Sequence, residues 1–365
     1  MYLSDVAQYR LHNQQIAQST HQTINGLVSW VGALQAQDAY MMKWAIGVRF
    51  PGITERQVTA ALDSGELIRT HILRPTWHIV AAEHIHWLLG VSAPHVKTSI
   101  RSRLKELEIT ADVLTKCYTI LEKALSGHTH LTRPELMLEL QQAGIPTDNN
   151  RSSHLMIHAE LDGIVCNGAV KGNQQTYALL QERVPISQPL QREEALAKLA
   201  RLYFTSHGPA TLSDFVWWSG LPITDARRAL MSIQADFVSE TIDSQTYWFD
   251  PSRPIPQAVD ESLYVLPAFD EYTVSYKDRR AVLSADTQQR AISANGIFSP
   301  IIVYNGSVIG LWKRTLKKDR VILEPSFFAR PTPSVVHLFE KACVDFGRFL
   351  ERTAEIAYEQ NTPKG

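Results

Sequence analysis

The residues that first suggest chemistry are Gln35, Gln37 and Asp38, within the stretch GALQAQDAY at positions 32–40. Two glutamines separated by one residue do not share a helix face, but on an extended or turning segment they point to the same side. If the preceding helix ends near Leu34, the two carboxamides converge and form a neutral two-point holder. The alternative is that both amides only satisfy backbone groups at a helix C-terminus. Asp38 either orients the pair or caps the helix that starts in AYMMKWAIG.

Most other chemistries have no visible support. The chain contains no G-x-x-x-x-G-K-S/T, no G-x-G-x-x-G opening a helix, no G-x-S-x-G and no H-E-x-x-H. Nucleotide hydrolysis, dinucleotide redox, α/β-hydrolase and zincin reactions are therefore set aside. Among the histidines, His71, His78, His84 and His86 lie closest together. They alternate with apolar residues and lack a Cys or Asp at ligand spacing, so neither a metal nor another cofactor is expected.

The 36 Lys and Arg against 37 Asp and Glu leave no overall field to attract a polyanion, so any nucleic-acid role must come from local clusters. Cys117, Cys166 and Cys343 are too far apart for a C-x-x-C clamp and too few for a disulfide framework. A reducing compartment follows, and the cytoplasm is the expected location. Polar residues interrupt the first eighteen positions as they would not a signal peptide, and no apolar run approaches twenty. No membrane partner is expected.

The elements that must position the glutamines follow a repeated order. At 365 residues, 44% hydrophobic, the chain has ample core for several packed α+β units. Three segments each run from helices into two short strands, the order of a winged helix. In the first, apolar spacing predicts a helix over residues 23–34. A second helix opens with Thr54 as cap and Gln57 three residues on, and stops at Gly65. LIRTHIL and TWHIV then supply strands.

In the second segment Thr132 caps a helix with Pro134 in its first turn and Gly144 at its end. A helix in NRSSHLMIHAELDG follows, then two strands around a loop containing Lys171. The third contains PITDARRALMSI in the place of a recognition helix, and Pro251, Pro254 and Pro256 then mark a loop. Asn305-Gly306 predicts a type I′ hairpin, and residues 334–358 read as one amphipathic helix. The expected units are 1–95, 96–186 and 187–258, then a β module with a C-terminal helix over 259–365.

Positive charge gathers in patches. Lys97, Arg101, Arg103 and Lys105 fall close together; YKDRR covers 276–280 and KRTLKKDR covers 313–320. Each can be a solvated face or a phosphate-binding run. Tyr276 and Trp312 can stack on bases or pack a core.

WVGALQAQDAYMMKWAIGVR, RTHILRPTWHIV, LPAFDEYTVSYKDRR and NGSVIGLWKR, in this order, resemble the winged-helix alkylpurine DNA glycosylases, the AlkZ-like proteins, over nearly the whole chain. The resemblance implies three tandem winged helices forming a basic concave face for double-stranded DNA, followed by a β domain. It implies a monomer acting without metal. That family's catalytic signature, Gln-x-Gln, falls on Gln35 and Gln37, in a subgroup apart from the crosslink-unhooking members. A purine alkylated at N7 or N3 is already cationic and leaves without a proton, so the pair need only hold a water beneath C1′ and favour developing positive charge.

Candidate DNA contacts are Arg69, His71, Arg74 and His78 on the unit of the glutamines, Lys97, Arg101 and Arg103 in a basic cluster, Arg227 and Arg228 on the recognition-helix segment and, by the same resemblance, Lys277, Arg279, Lys313 and Arg314. For Arg69, His71, Arg74 and His78, pairing with carboxylates is an equal alternative. The Asn305-Gly306 turn could press on a groove or be a plain turn. The rival functions are a non-enzymatic winged-helix DNA-binding protein or regulator, and a protein-interaction scaffold.

Overall fold

The computed structural model describes residues 1–253 and 261–358 of an α+β protein. Its contacts divide into two compact units: Met1–Thr59, Leu202–Phe215 and Gln234–Gly365 form one, and Ala60–Arg201 with Val216–Ile233 the other.

The first unit is built on a five-stranded sheet, in the order Thr353–Ile356, Arg320–Phe327, Ser307–Leu316, Ile301–Tyr304, Leu263–Leu266. All neighbours are antiparallel except the first two. Val308, Gly310 and Trp312 alternate inward along their strand, as a sheet with one covered face requires. The helix Pro333–Phe349 lays Phe339 and Phe346 on that sheet. Phe346 meets the edges of Trp312 and Trp44, with ring centroids 5.2 and 5.0 Å apart. Thr332 caps this helix and Pro333 opens it, where its missing N–H costs nothing.

Asn305 and Gly306 both have positive φ, as a type I′ turn demands. The turn is a packed structural element. Tyr272 Oη donates to Gly306 O at 2.7 Å, Gln8 Nε2 donates to Asn305 O at 2.8 Å, and a Cβ at Gly306 would lie 3.0 Å from Ala7 Cβ.

Two expectations for this unit need correction. The helix expected over residues 23–34 covers Ile24–Val31 and stops at Gly32, three residues short of the predicted end. The terminal helix also ends early, at Phe349. Residues Thr353–Ile356 form a strand parallel to Arg320–Phe327. The stop falls at Glu351, a non-glycine residue at positive φ, where no glycine signals it.

In the second unit the strands Leu67–Ile72 and Thr76–Ala81 pair antiparallel, and helices Ile85–Ser99, Arg101–Glu106, Ala111–Leu125, Arg133–Gln142 and Arg151–Leu161 follow. Leu121, Leu125, Leu136, Leu140 and Leu155 close a core over the sheet of Leu131–Thr132, Thr176–Leu179 and Val165–Asn167. The expected Thr132 cap is present, and Glu135, not singled out from sequence, completes a capping box: Thr132 accepts from Glu135 N, and the Glu135 carboxylate accepts from Thr132 N at 2.7 Å. A third run of helices is Arg192–His207, Leu212–Ser219 and Ile223–Ile233; its residues 202–215 and the following hairpin, Val238–Ile242 with Gln245–Phe249, belong to the first unit. Pro254, Pro256 and the 258/259 boundary lie outside the described residues.

Candidate active site and nucleic-acid contacts

Gly32 sets the direction of the glutamine segment. Its N–H donates to Val28 O at 2.8 Å, and φ 86°, ψ −53° turns the chain out of the helix into a conformation that side chains avoid. Leu34 and Gln35 are then extended. The N–H of Gln35 donates to Glu271 Oε1 at 2.7 Å, and the N–H of Gln37 donates to Gln35 Oε1 at 3.0 Å. Gln35 Nε2 closes the ring by donating to Gln37 Oε1.

This ring fixes both amides. The atom facing the Gln37 N–H must be an oxygen, so the other end of the Gln35 amide is NH2, and what it meets on Gln37 must be oxygen. Gln35 is 4% exposed whereas Gln37 is open to solvent. The pair is therefore asymmetric: Gln35 is the holder and Gln37 the group it holds. The carbonyl oxygen of Gln37 keeps a second lone pair for another donor.

Asp38 caps the turn that follows. Its Oδ1 accepts from Tyr40 N at 2.9 Å and Met41 N at 3.0 Å, leading into the helix Met42–Gly47. Tyr40 stands exposed at the tip of this turn.

Behind Gln35 lies a buried polar group of residues in the stretch LPAFDEYTVSYKDRR. Asp270 caps the short helix Glu271–Val274 and takes both arms of Arg49, at 2.7 and 2.8 Å. Arg49 also donates to Ala45 O, Gln14 O and Gln14 Oε1. Glu271, 1% exposed, accepts from the Ser275 hydroxyl through the carboxylate oxygen that does not hold Gln35; His207 Nε2 lies 3.8 Å from that oxygen. Burial pushes the His207 pKa below its ordinary value, the nearby Glu271 opposing. Glu271 and Arg49 were not singled out from sequence. The one signal was an adjacent Asp-Glu pair inside an apolar run.

The predicted DNA contacts separate into buried and exposed groups. His71 is buried and its Nδ1 lies 2.6 Å from Glu160 Oε2; Arg69 is buried over the Trp77 ring, 4.2 Å from its centroid. His78 is fully buried with Nδ1 3.0 Å from Thr76 O, while half-buried Arg74 lies 5.7 Å from the Trp217 ring. Arg279 is buried, donating to Thr273 O at 2.9 Å. Tyr276 and Trp312 are core residues.

Lys97 pairs with Asp162, Arg103 with Glu106 at 2.7 Å, and Arg228 with Asp225 at 3.0 Å. Arg101, Arg227, Lys277 and Lys313 are exposed and form no ion pair among the described residues. Arg314 is half-buried; desolvation lowers its pKa, with Asp38 and Glu55 opposing the shift. No group of three or more His, Cys, Asp or Glu among the described residues could hold a metal, and no described helix is long and apolar enough to cross a membrane.

The model of the family described as DNA glycosylase AlkZ-like matches residues 28–349. The chain belongs to that family. It is similar to an interstrand DNA cross-link repair glycosylase of Streptomyces sahachiroi, 21% identical over 96% of this chain and 95% of that protein. Its fold is similar to that of the solved Streptomyces sahachiroi DNA glycosylase AlkZ, with TM-score 0.81 at 19% identity, covering 98% of this chain and 100% of the other. Membership in a glycosylase family supports enzymatic activity on DNA in general terms.

Proposed function

We propose that this AlkZ-like protein is a monofunctional DNA glycosylase that hydrolyses the N-glycosidic bond of purines made cationic by alkylation at N7 or N3. The observation that carries this reading is the Gln35–Gln37 ring, which presents an exposed carboxamide of fixed orientation. In the reaction, a water accepted by Gln37 Oε1 attacks C1′. The bond from C1′ to the purine nitrogen breaks, and its electron pair neutralises the ring cation. The water's spare proton passes to solvent. The leaving group needs no acid, and oriented carbonyl oxygens favour the oxocarbenium-like sugar.

The three helix-and-hairpin segments act as winged helices against double-stranded DNA in this reading. Exposed Arg101, Arg227, Lys277 and Lys313 contact phosphates, as point charges on a polyanion do. Arg69, His71, His78 and Arg279 instead hold the fold together from within.

The test uses duplex DNA carrying N7-methylguanine, with alkali to cleave abasic sites. Wild-type protein should produce strand breaks, and Gln37→Ala should reduce the single-turnover rate roughly 100-fold, the scale of one lost transition-state contact. Salt-sensitive duplex binding without base release would favour the non-enzymatic DNA-binding protein.

A further inference from the structure

We infer that Glu271 is a positioning residue for the Gln35–Gln37 pair and that its buried negative charge favours the cationic sugar that develops beside that pair. The inference rests on the hydrolytic reading above. Glu271 Oε1 holds the Gln35 N–H at 2.7 Å, Gln35 Oε1 holds the Gln37 N–H at 3.0 Å, and Gln35 Nε2 holds Gln37 Oε1. The exposed amide is thus the last member of a hydrogen-bonded series anchored on one carboxylate.

The anchor is itself fixed. Its second oxygen accepts from Ser275, four residues on in the same segment, and faces His207 Nε2 at 3.8 Å. His207 Nδ1 in turn lies 2.8 Å from Ser206 Oγ. Asp270, the preceding residue, is clamped by both arms of Arg49. Movement at Glu271 therefore displaces the Gln35 backbone.

The charge calls for its own explanation. A neutral amide could accept the Gln35 N–H as well, whereas taking an ion out of water is costly. At 1% exposure the carboxylate is poorly screened, so its field reaches further than a surface charge would. A preorganised anion behind the nucleophile-holding pair lowers the energy of a cationic transition state with no reorganisation at the moment of reaction.

The experiment measures single-turnover release of N7-methylguanine from a duplex by wild type, E271Q and E271D, with duplex affinity and thermal melting in parallel. E271Q keeps the length and the acceptor but removes the charge; E271D keeps the charge but retracts it. The expected result is a loss of roughly tenfold or more in E271Q with affinity unchanged, and E271D faster than E271Q. E271Q as fast as wild type, or faster than E271D, overturns the role of charge. Should E271Q fail to fold, E271D carries the test of positioning: a loss of about tenfold at unchanged duplex affinity supports the inference, and a rate within about threefold of wild type overturns it. A wild-type protein that binds the duplex yet releases no base overturns the hydrolytic reading, and this inference with it; that failure is seen without any variant.

Discussion

Replacing Gly32 with alanine tests how the glutamine segment is aimed. The native φ of 86° with ψ of −53° is outside the regions that side-chain-bearing residues occupy, and holding alanine there costs about 1–3 kcal/mol. The new Cβ would also stand 2.3 Å from Leu202 Cδ2 and 2.9 Å from Leu202 Cγ. Displacing that half-buried side chain adds about 1–3 kcal/mol. The sum, about 2–6 kcal/mol, is a large part of the roughly 5–15 kcal/mol that holds a domain folded. Urea unfolding at constant m-value should show this as a lower midpoint. Gly32→Ala combined with Leu202→Ala separates the two parts, because it removes the collision but leaves the torsional strain; a double-mutant cycle should return a coupling of about 1–3 kcal/mol. A loss under about 1 kcal/mol for Gly32→Ala alone would refute both the conformation assigned to this turn and the close approach of Leu202.

Four further outcomes follow. Arg49→Met should destabilise by about 3–5 kcal/mol, since Asp270 keeps its buried charge without the bidentate partner; unfolding curves check this. Gly47→Ala should also destabilise, because its Cβ would meet Phe349 at 2.6 Å, and the loss should shrink in a Phe349→Leu background. Burial depresses the pKa of His12, His84, His95, His158 and His207, so the unfolded chain binds more protons than the folded one. Stability from these groups is present above about pH 6.5 and lost as pH falls below it, by at most about 1.4 kcal/mol per pH unit for each, which denaturation at pH 7.5 and 5.5 measures. Lys313→Ala should weaken duplex binding and flatten the plot of log affinity against log salt by about one charge.

What could be read from the sequence was what local chemistry decides. The Thr132 cap, Thr54 with Gln57, and Asn305-Gly306 carry their geometry within four residues, and each forms the structure expected of it. The glutamines were visible because spacing by two implies convergence on an extended segment. Their inequality was not, since the burial of Gln35 depends on Glu271, 236 positions away. His71 read equally as a phosphate ligand or a carboxylate partner until Glu160 met it across 89 residues. The strand Thr353–Ile356 has helix-compatible residues and becomes a strand by pairing with Arg320–Phe327. Composition alone does not record such long-range partners.

The late strand has a practical consequence for handling the protein. Thr353–Ile356 is short, carries Glu355 against Arg320 at 3.3 Å, and occupies the outer border of the five-stranded sheet. A chain cut after Arg352 would uncover the four positions Arg320 to Leu323 that this strand pairs with, leaving their outward amides and carbonyls facing water. Such a shortened version should self-associate through that border, appearing as larger species in size-exclusion chromatography. Purification handles are therefore better designed to leave these four residues in place.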